Sequence, residues 1–230
     1  HREEEPLESN PGSSARILAR ELAPAADPTT IEALTQAWVL NCFDYSDEPQ
    51  GYCTYFFSSF MSHSCFPNAF WYYDGDNHVL RAREDIEVGD EVCISYLSED
   101  WLMRSAPERR WDLHETKRFW CACERCLGGT DSSRGFLCQG CRVGTVFAPA
   151  PREGPQASKG PRNTDLVGAV CGACGRKVTA LEAERLARYE KALGTLFEAF
   201  EKSPCASAAR ELEALIDAAF VQHWLPGQAG

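Results

Sequence analysis

No stretch of the sequence approaches the roughly 20 consecutive apolar residues that span a bilayer, and no basic segment followed by an apolar one opens the chain. A membrane partner is therefore not expected. Positive charge is also short: Lys and Arg total 23 against 34 Asp and Glu, for a net charge of -11 and a pI near 5.0. Such a surface is ill suited to neutralising nucleic-acid phosphates or anionic lipid, so no direct nucleic-acid partner is expected. A Lys-rich protein segment suits it better. No motif recurs more than twice, which gives no repeat array within these residues.

The chain does have an ordinary apolar share, 44% of 230 residues, enough to build one large or two modest domains. It also has twelve cysteines, and seven of them fall in tight pairs or a triplet. Two cysteines separated by two residues grip one tetrahedral ion well, whereas a disulfide framework has no reason to repeat that spacing. Zn2+ at two sites, in a cytoplasmic and/or nuclear protein, is the expectation. Cys138, Cys141, Cys171 and Cys174 form two such knuckles, with Gly140, Gly172 and Gly175 allowing tight backbone turns. Four thiolates leave no open coordination position, so this site reads as structural.

The fold class expected is α+β. The first 30 residues, acidic and then rich in Ser, Ala and Pro, read as a disordered or boundary segment. Ile31, Leu34 and Trp38 lie at helical spacing behind Pro28, Thr29 and Thr30, which predicts a short helix over 31–39. Ala69 to Tyr73 and His78 to Ala82 flank Asp74-Gly75-Asp76-Asn77 as a hairpin, and a further strand opens at Gly89-Asp90, with Val92, Ile94 and Tyr96 on one face. The charged stretch Met103 to Glu115 is broken by Pro107, although Trp111 and Leu113 can anchor a helix there. A zinc-ribbon-like module is expected over 127–178, with a flexible insertion at 148–164 marked by Pro149, Pro151, Pro155 and Pro161. Thr179 with Glu182 is a capping box, and Leu186, Tyr189, Leu193, Phe197 and Phe200 follow as one stripe. Ser203-Pro204 reads as cap and first residue of a second helix carrying Leu212, Leu215, Ile216, Ala219 and Phe220. Residues 179–230 are thus expected to form a C-terminal helical hairpin, a surface on which protein partners can dock.

Cys121, Cys123 and Cys126 supply three thiolates, and a closed site wants a fourth ligand. Spacing does not choose among Cys42, Cys53, Cys65, Cys93 and His63. Cys65 is attractive because Ser62-His63-Ser64-Cys65-Phe66-Pro67-Asn68 is a polar, Pro-containing segment in an apolar neighbourhood.

That segment, followed by Gly89-Asp90-Glu91-Val92-Cys93-Ile94-Ser95-Tyr96-Leu97 and by Phe119-Trp120-Cys121-Ala122-Cys123-Glu124-Arg125-Cys126, resembles the second half of a SET domain with its post-SET cysteines. With Glu108-Arg109-Arg110, the order is most similar to the SET-and-MYND branch of protein-lysine methyltransferases. The resemblance is tight over about 38 to 126, and residues 31–126 are assigned to the C-terminal part of the SET domain with a zinc-bound post-SET. It implies an S-adenosyl-L-methionine-dependent lysine N-methyltransferase acting on a protein substrate with an accessible lysine, histone or non-histone. It further implies that Asn41 in Asn41-Cys42-Phe43, position 62, His63 and Phe119 lie against the cofactor. Cys65 would be the fourth zinc ligand, and Tyr96 the catalytic tyrosine beside the methyl-transfer path. Ser62 stands where the family has Asn, and a hydroxyl is shorter than an amide and has fewer hydrogen-bonding positions. Phe56, Phe57, Phe60, Phe70, Trp71, Tyr72 and Tyr73 are candidates for channel walls. Residues 1–37 contain neither the family's Gly-x-Gly strand nor a MYND finger, so the expectation is a fragment lacking both. The alternative expectation is a non-catalytic, zinc-dependent interaction adaptor with a degenerate SET domain.

Overall fold

A computed structural model describes residues 13–22, 24–47, 50–150 and 166–220. They divide into two compact units, residues 1–98 with 112–121 and residues 99–111 with 122–230.

In the first unit, helices α1 (Ser13–Leu22) and α2 (Pro28–Asn41) pack on one another. The boundary reading of the first 30 residues is corrected for 13–22, where Ala, Leu, Arg and Glu are helix formers and Ala19 is buried. Residues 1–12 and 23 lie outside the described residues. α2 starts because Asp27 accepts from the Thr30 amide at 3.1 Å and Pro28 occupies the first turn, where its missing N–H costs nothing.

Two antiparallel hairpins follow, β1 (Phe43–Asp47) with β2 (Gln50–Cys53) and β4 (Ala69–Asp74) with β5 (Asn77–Ala82). The second is the hairpin expected from Asp74-Gly75-Asp76-Asn77, with Gly75 at φ +57° in the turn. Aromatic rings join the two hairpins. His78 is stacked on Tyr55 (4.1 Å) and Trp71 (5.4 Å), and Phe43 meets it edge-on at 5.0 Å.

Between the hairpins in sequence, β3 (Ser62–His63) pairs in parallel with β6 (Cys93–Ile94). The longer strand expected from Gly89 does not form. Asn68 supplies the reason: its Nδ2 donates to the Glu91 carbonyl at 2.9 Å and its Oδ1 accepts from the Cys93 amide at 2.8 Å. His63 Nδ1 likewise accepts the Tyr96 amide at 2.9 Å. Side chains thus occupy the ladder positions on either side of the two paired residues.

The second unit opens with α3 (Glu99–Leu102) and with α4 (Ala106–Lys117), which contributes residues to both units. Pro107 does not break α4, because it sits in the first turn behind Ser105, whose amide donates to Glu108 Oε2 at 3.0 Å. After α5 (Glu124–Leu127), β7 (Thr130–Leu137) and β8 (Thr145–Pro149) form an antiparallel pair that carries β structure into the start of the expected insertion. Residues 151–165, the rest of that insertion, lie outside the described residues. Phe136, Val146, Ala148, Leu166, Val178, Ala183 and Leu186 make the core of this unit together with Cys138 and Cys171.

Helices α6 (Ala180–Lys202) and α7 (Ala206–Ala219) pack as the expected hairpin. The capping box between Thr179 and Glu182 is formed. Ser203 closes α6 instead of opening α7, which starts behind Cys205. The stripe on α6 is buried at Ala183, Leu186 and Ala187, while Phe197 is exposed. Residues 221–230 lie outside the described residues.

One buried polar centre organises the turn from α4 to β7. Asp131, 1% exposed, accepts from the Ala106 amide at 2.7 Å and from the Ser133 amide at 3.1 Å, and lies 3.9 Å from Arg109, which is fully buried. Asp131→Ala strips a helix N-terminus of its acceptor and removes the carboxylate 3.9 Å from a buried guanidinium. It is expected to destabilise the chain by about 3 kcal/mol in urea unfolding.

Candidate functional site

Cys138, Cys141, Cys171 and Cys174 bring their four sulfurs within 4.8 Å of one another. The pairs Cys138–Cys174 and Cys141–Cys171 are 3.9 and 3.8 Å apart. Sulfurs arranged tetrahedrally at about 2.3 Å from an ion are about 3.8 Å from each other, so the group has the size of a zinc site. Its electrostatics point the same way. The Gly144 and Val143 amides draw the Cys141 thiol down to about 6. The Arg176 amide lowers Cys174, but this is outweighed by Cys171, burial, Cys141 and Cys138, which push it up to about 11. Four thiols this close resist ionising together, and a dication removes the conflict. Gly175 turns at φ +71°, as its place in a knuckle suggests. Gly144 is the glycine the sequence reading passed over: a Cβ there would stand 2.5 Å from Cys171 Sγ.

Of the second set of cysteines, Cys65 and Cys121 belong to the first unit and Cys123 and Cys126 to the second. Cys65 and Cys121 sulfurs are 3.9 Å apart. Of the candidates for the fourth position, Cys65 is the one whose sulfur meets Cys121 within the first unit. Arg109, a residue noted only as part of a motif, donates from Nη2 to Cys126 Sγ at 3.7 Å. None of the twelve cysteines is in a disulfide.

Around Tyr96 the first unit gathers several expected residues. Because His63 Nδ1 accepts the Tyr96 amide, the ring's proton belongs on Nε2, which lies 3.2 Å from Cys65 Sγ and donates to it. The Tyr96 hydroxyl donates to the Met61 carbonyl. The rings of His63, Tyr96 and Phe119 form a triangle with centroids 5.3, 6.0 and 6.2 Å apart. Beside it opens a cavity of about 730 Å³ lined by residues that include Trp38, Asn41, Trp71, Ser95, Tyr96 and Lys117. That volume suits a small-molecule ligand.

The expected cofactor residues are only partly assembled on this cavity. Asn41 lines it, with its amide donating to Ala37 O at 2.7 Å. His63 and Phe119 back Tyr96 and do not line the cavity, and the Ser62 hydroxyl donates to the Glu91 carboxylate. Of the seven aromatic residues considered for channel walls, Trp71 is in the lining. Phe56, Phe57 and Phe60 are 72, 79 and 75% exposed and serve neither as walls nor as core. Lys117 went unnoticed in the sequence because a charged residue ending a helix reads as a solvated one.

Residues 3–97 match the family model of the SET domain, which reaches further towards the start than the resemblance drawn from motifs. The chain is 39% identical over 94 residues to the protein-lysine N-trimethyltransferase SMYD5 of Gallus gallus, a match covering 40% of this chain and 21% of that protein. SMYD5 of Homo sapiens is 38% identical over 103 residues, covering 44% and 23%. The histone-lysine N-methyltransferase SMYD3 of Homo sapiens is 47% identical over 68 residues, covering 30% and 15%. The matched stretch thus spans 15 to 23% of these relatives' own length.

Elemental analysis of the purified chain is expected to find about two metal ions per molecule. Cys65→Ser and Cys138→Ser should each remove one; a content unchanged in either variant would strike that cluster out.

Proposed function

We propose, from the premise that the chain carries a SET domain of the SET-and-MYND type, that it is part of an S-adenosyl-L-methionine-dependent protein-lysine N-methyltransferase. The observation that carries this reading is the tethering of Tyr96 at both ends, amide to His63 and hydroxyl to Met61, on the wall of a cavity that Asn41 also lines.

When bound, the cofactor supplies an electrophilic methyl group on a sulfonium. The chain has then to hold a neutral lysine amine in line with that methyl and keep water away. Trp38, Trp71 and Tyr96 give the cavity apolar walls, which disfavour an ammonium and so favour the amine. With its proton committed to Met61 O, the Tyr96 oxygen presents lone pairs that can accept from the amine and set its direction. Its ordinary pKa of about 10 makes it an orienting group and not a strong base. His63 acts behind it, fixing the backbone of Tyr96 through one ring nitrogen and Cys65 through the other.

Both cysteine groups serve as structural zinc sites in this reading, since four thiolates leave no position for substrate. The substrate is a protein segment presenting lysine, and the acidic balance of the chain favours a basic one. Free thiols throughout suit the cytoplasm or nucleus. Ser62, engaged by Glu91, offers the cofactor little, so binding depends more heavily on Asn41 and the cavity walls.

Calorimetric titration of the chain with S-adenosyl-L-methionine is expected to give saturable binding, and its absence at millimolar cofactor would end the enzyme reading. Tyr96→Phe should lower methyl transfer by about 10²-fold while metal content stays at the parent's value. A variant as active as its parent would remove Tyr96 from the mechanism.

A further inference from the structure

Lys117 belongs to the last turn of α4 and lines the cavity together with Asn41 and Tyr96. Its Nζ donates to the Leu40 carbonyl at 3.0 Å and lies 5.7 Å from the centre of the Tyr96 ring. An amine is thus already seated beside the tyrosine that the proposed chemistry would use to orient one. Most surface lysines keep Nζ in water and are free to swing. This one is anchored to a main-chain oxygen whose helix, α2, ends at Asn41.

We propose that Lys117 is a self-methylation site, accepting the methyl group of S-adenosyl-L-methionine bound in the same molecule. This inference rests on the methyltransferase reading above. The step balances without a further reagent. The neutral Nζ lone pair forms a bond to the methyl carbon, the carbon–sulfur bond breaks, and its electron pair stays on sulfur to give the thioether S-adenosylhomocysteine. The proton left on nitrogen passes to water.

Two physical features favour the reaction. First, the acceptor is delivered by the fold, so the step is unimolecular and no encounter with a peptide is needed. Second, burial holds the Lys117 ammonium below its usual range and brings the reactive amine closer to neutral pH. The negative fields of Cys42 and Asp44 oppose this shift without cancelling it. The Leu40 carbonyl keeps the nitrogen in place in either protonation state, since ammonium and amine both donate.

The test is incubation of the 230-residue chain with isotopically labelled S-adenosyl-L-methionine, followed by proteolysis and mass mapping of the peptide that contains Lys117. Cofactor binding is measured calorimetrically on the same preparation. The expected result is label on Lys117, at a fractional rate that does not change when the protein is diluted tenfold, and no label at this position in Lys117→Arg. Tyr96→Phe is expected to slow the labelling with metal content unchanged. Binding of cofactor without label on Lys117 overturns this inference and leaves the proposed function standing. Label that appears only at high protein concentration overturns it too, since the acceptor would then come from another molecule. Absence of cofactor binding removes both.

Discussion

The first unit depends on one short crossing in which two extended segments lie side by side for only two residues each, Ser62–His63 against Cys93–Ile94. Parallel pairing of that length has little stability of its own. It persists because side chains extend it. Asn68 bonds both the Glu91 carbonyl and the Cys93 amide, and His63 takes the amide of Tyr96. Once these bonds are made, the direction of Tyr96 is settled, the Met61 carbonyl meets its hydroxyl, and Cys65 is carried into the interior. Side-chain hydrogen bonds allow the chain to leave the ladder at Tyr96.

Much of this was legible in the sequence, but for different reasons in different places. The β4–β5 hairpin announced itself through a turn that only a few residue types accept, and the capping box at Thr179 through a spacing with a direct hydrogen-bonding meaning. The paired knuckles were legible because metal geometry imposes a spacing that packing does not. Other features were hidden because they depend on partners distant in sequence. Nothing local tells that Gly89 to Tyr96 will pair in parallel for two residues, since that depends on Asn68. Ser203-Pro204 has the chemistry of a helix start, yet the preceding helix already uses Ser203 as its end. Cys65 was preferred as a ligand through its polar, Pro-containing segment and a resemblance, because spacing alone left four cysteines and one histidine equally eligible.

The site divides similarly. Tyr96 and Asn41 reach the cavity, whereas His63 and Phe119 sit one layer behind, and Ser62 is turned towards a carboxylate. A residue's membership of a motif says that it belongs to the neighbourhood. Which way its side chain points is decided by neighbours such as Glu91, 29 positions away in sequence. The same limit explains Lys117, whose Nζ is held by the Leu40 carbonyl of α2, 77 positions away in sequence.

The zinc-sized group in the second unit is lopsided. Cys138 and Cys171 belong to the hydrophobic core, Cys141 is half-buried and Cys174 is exposed. An oxidant or electrophile arriving from solvent meets Cys174 before any other sulfur of the set. Chemical damage therefore begins at Cys174, the most accessible, and at Cys141, the readier to ionise, while the two inner cysteines still pack with Phe136 and Leu166, so this module wears from the outside inward instead of failing all at once.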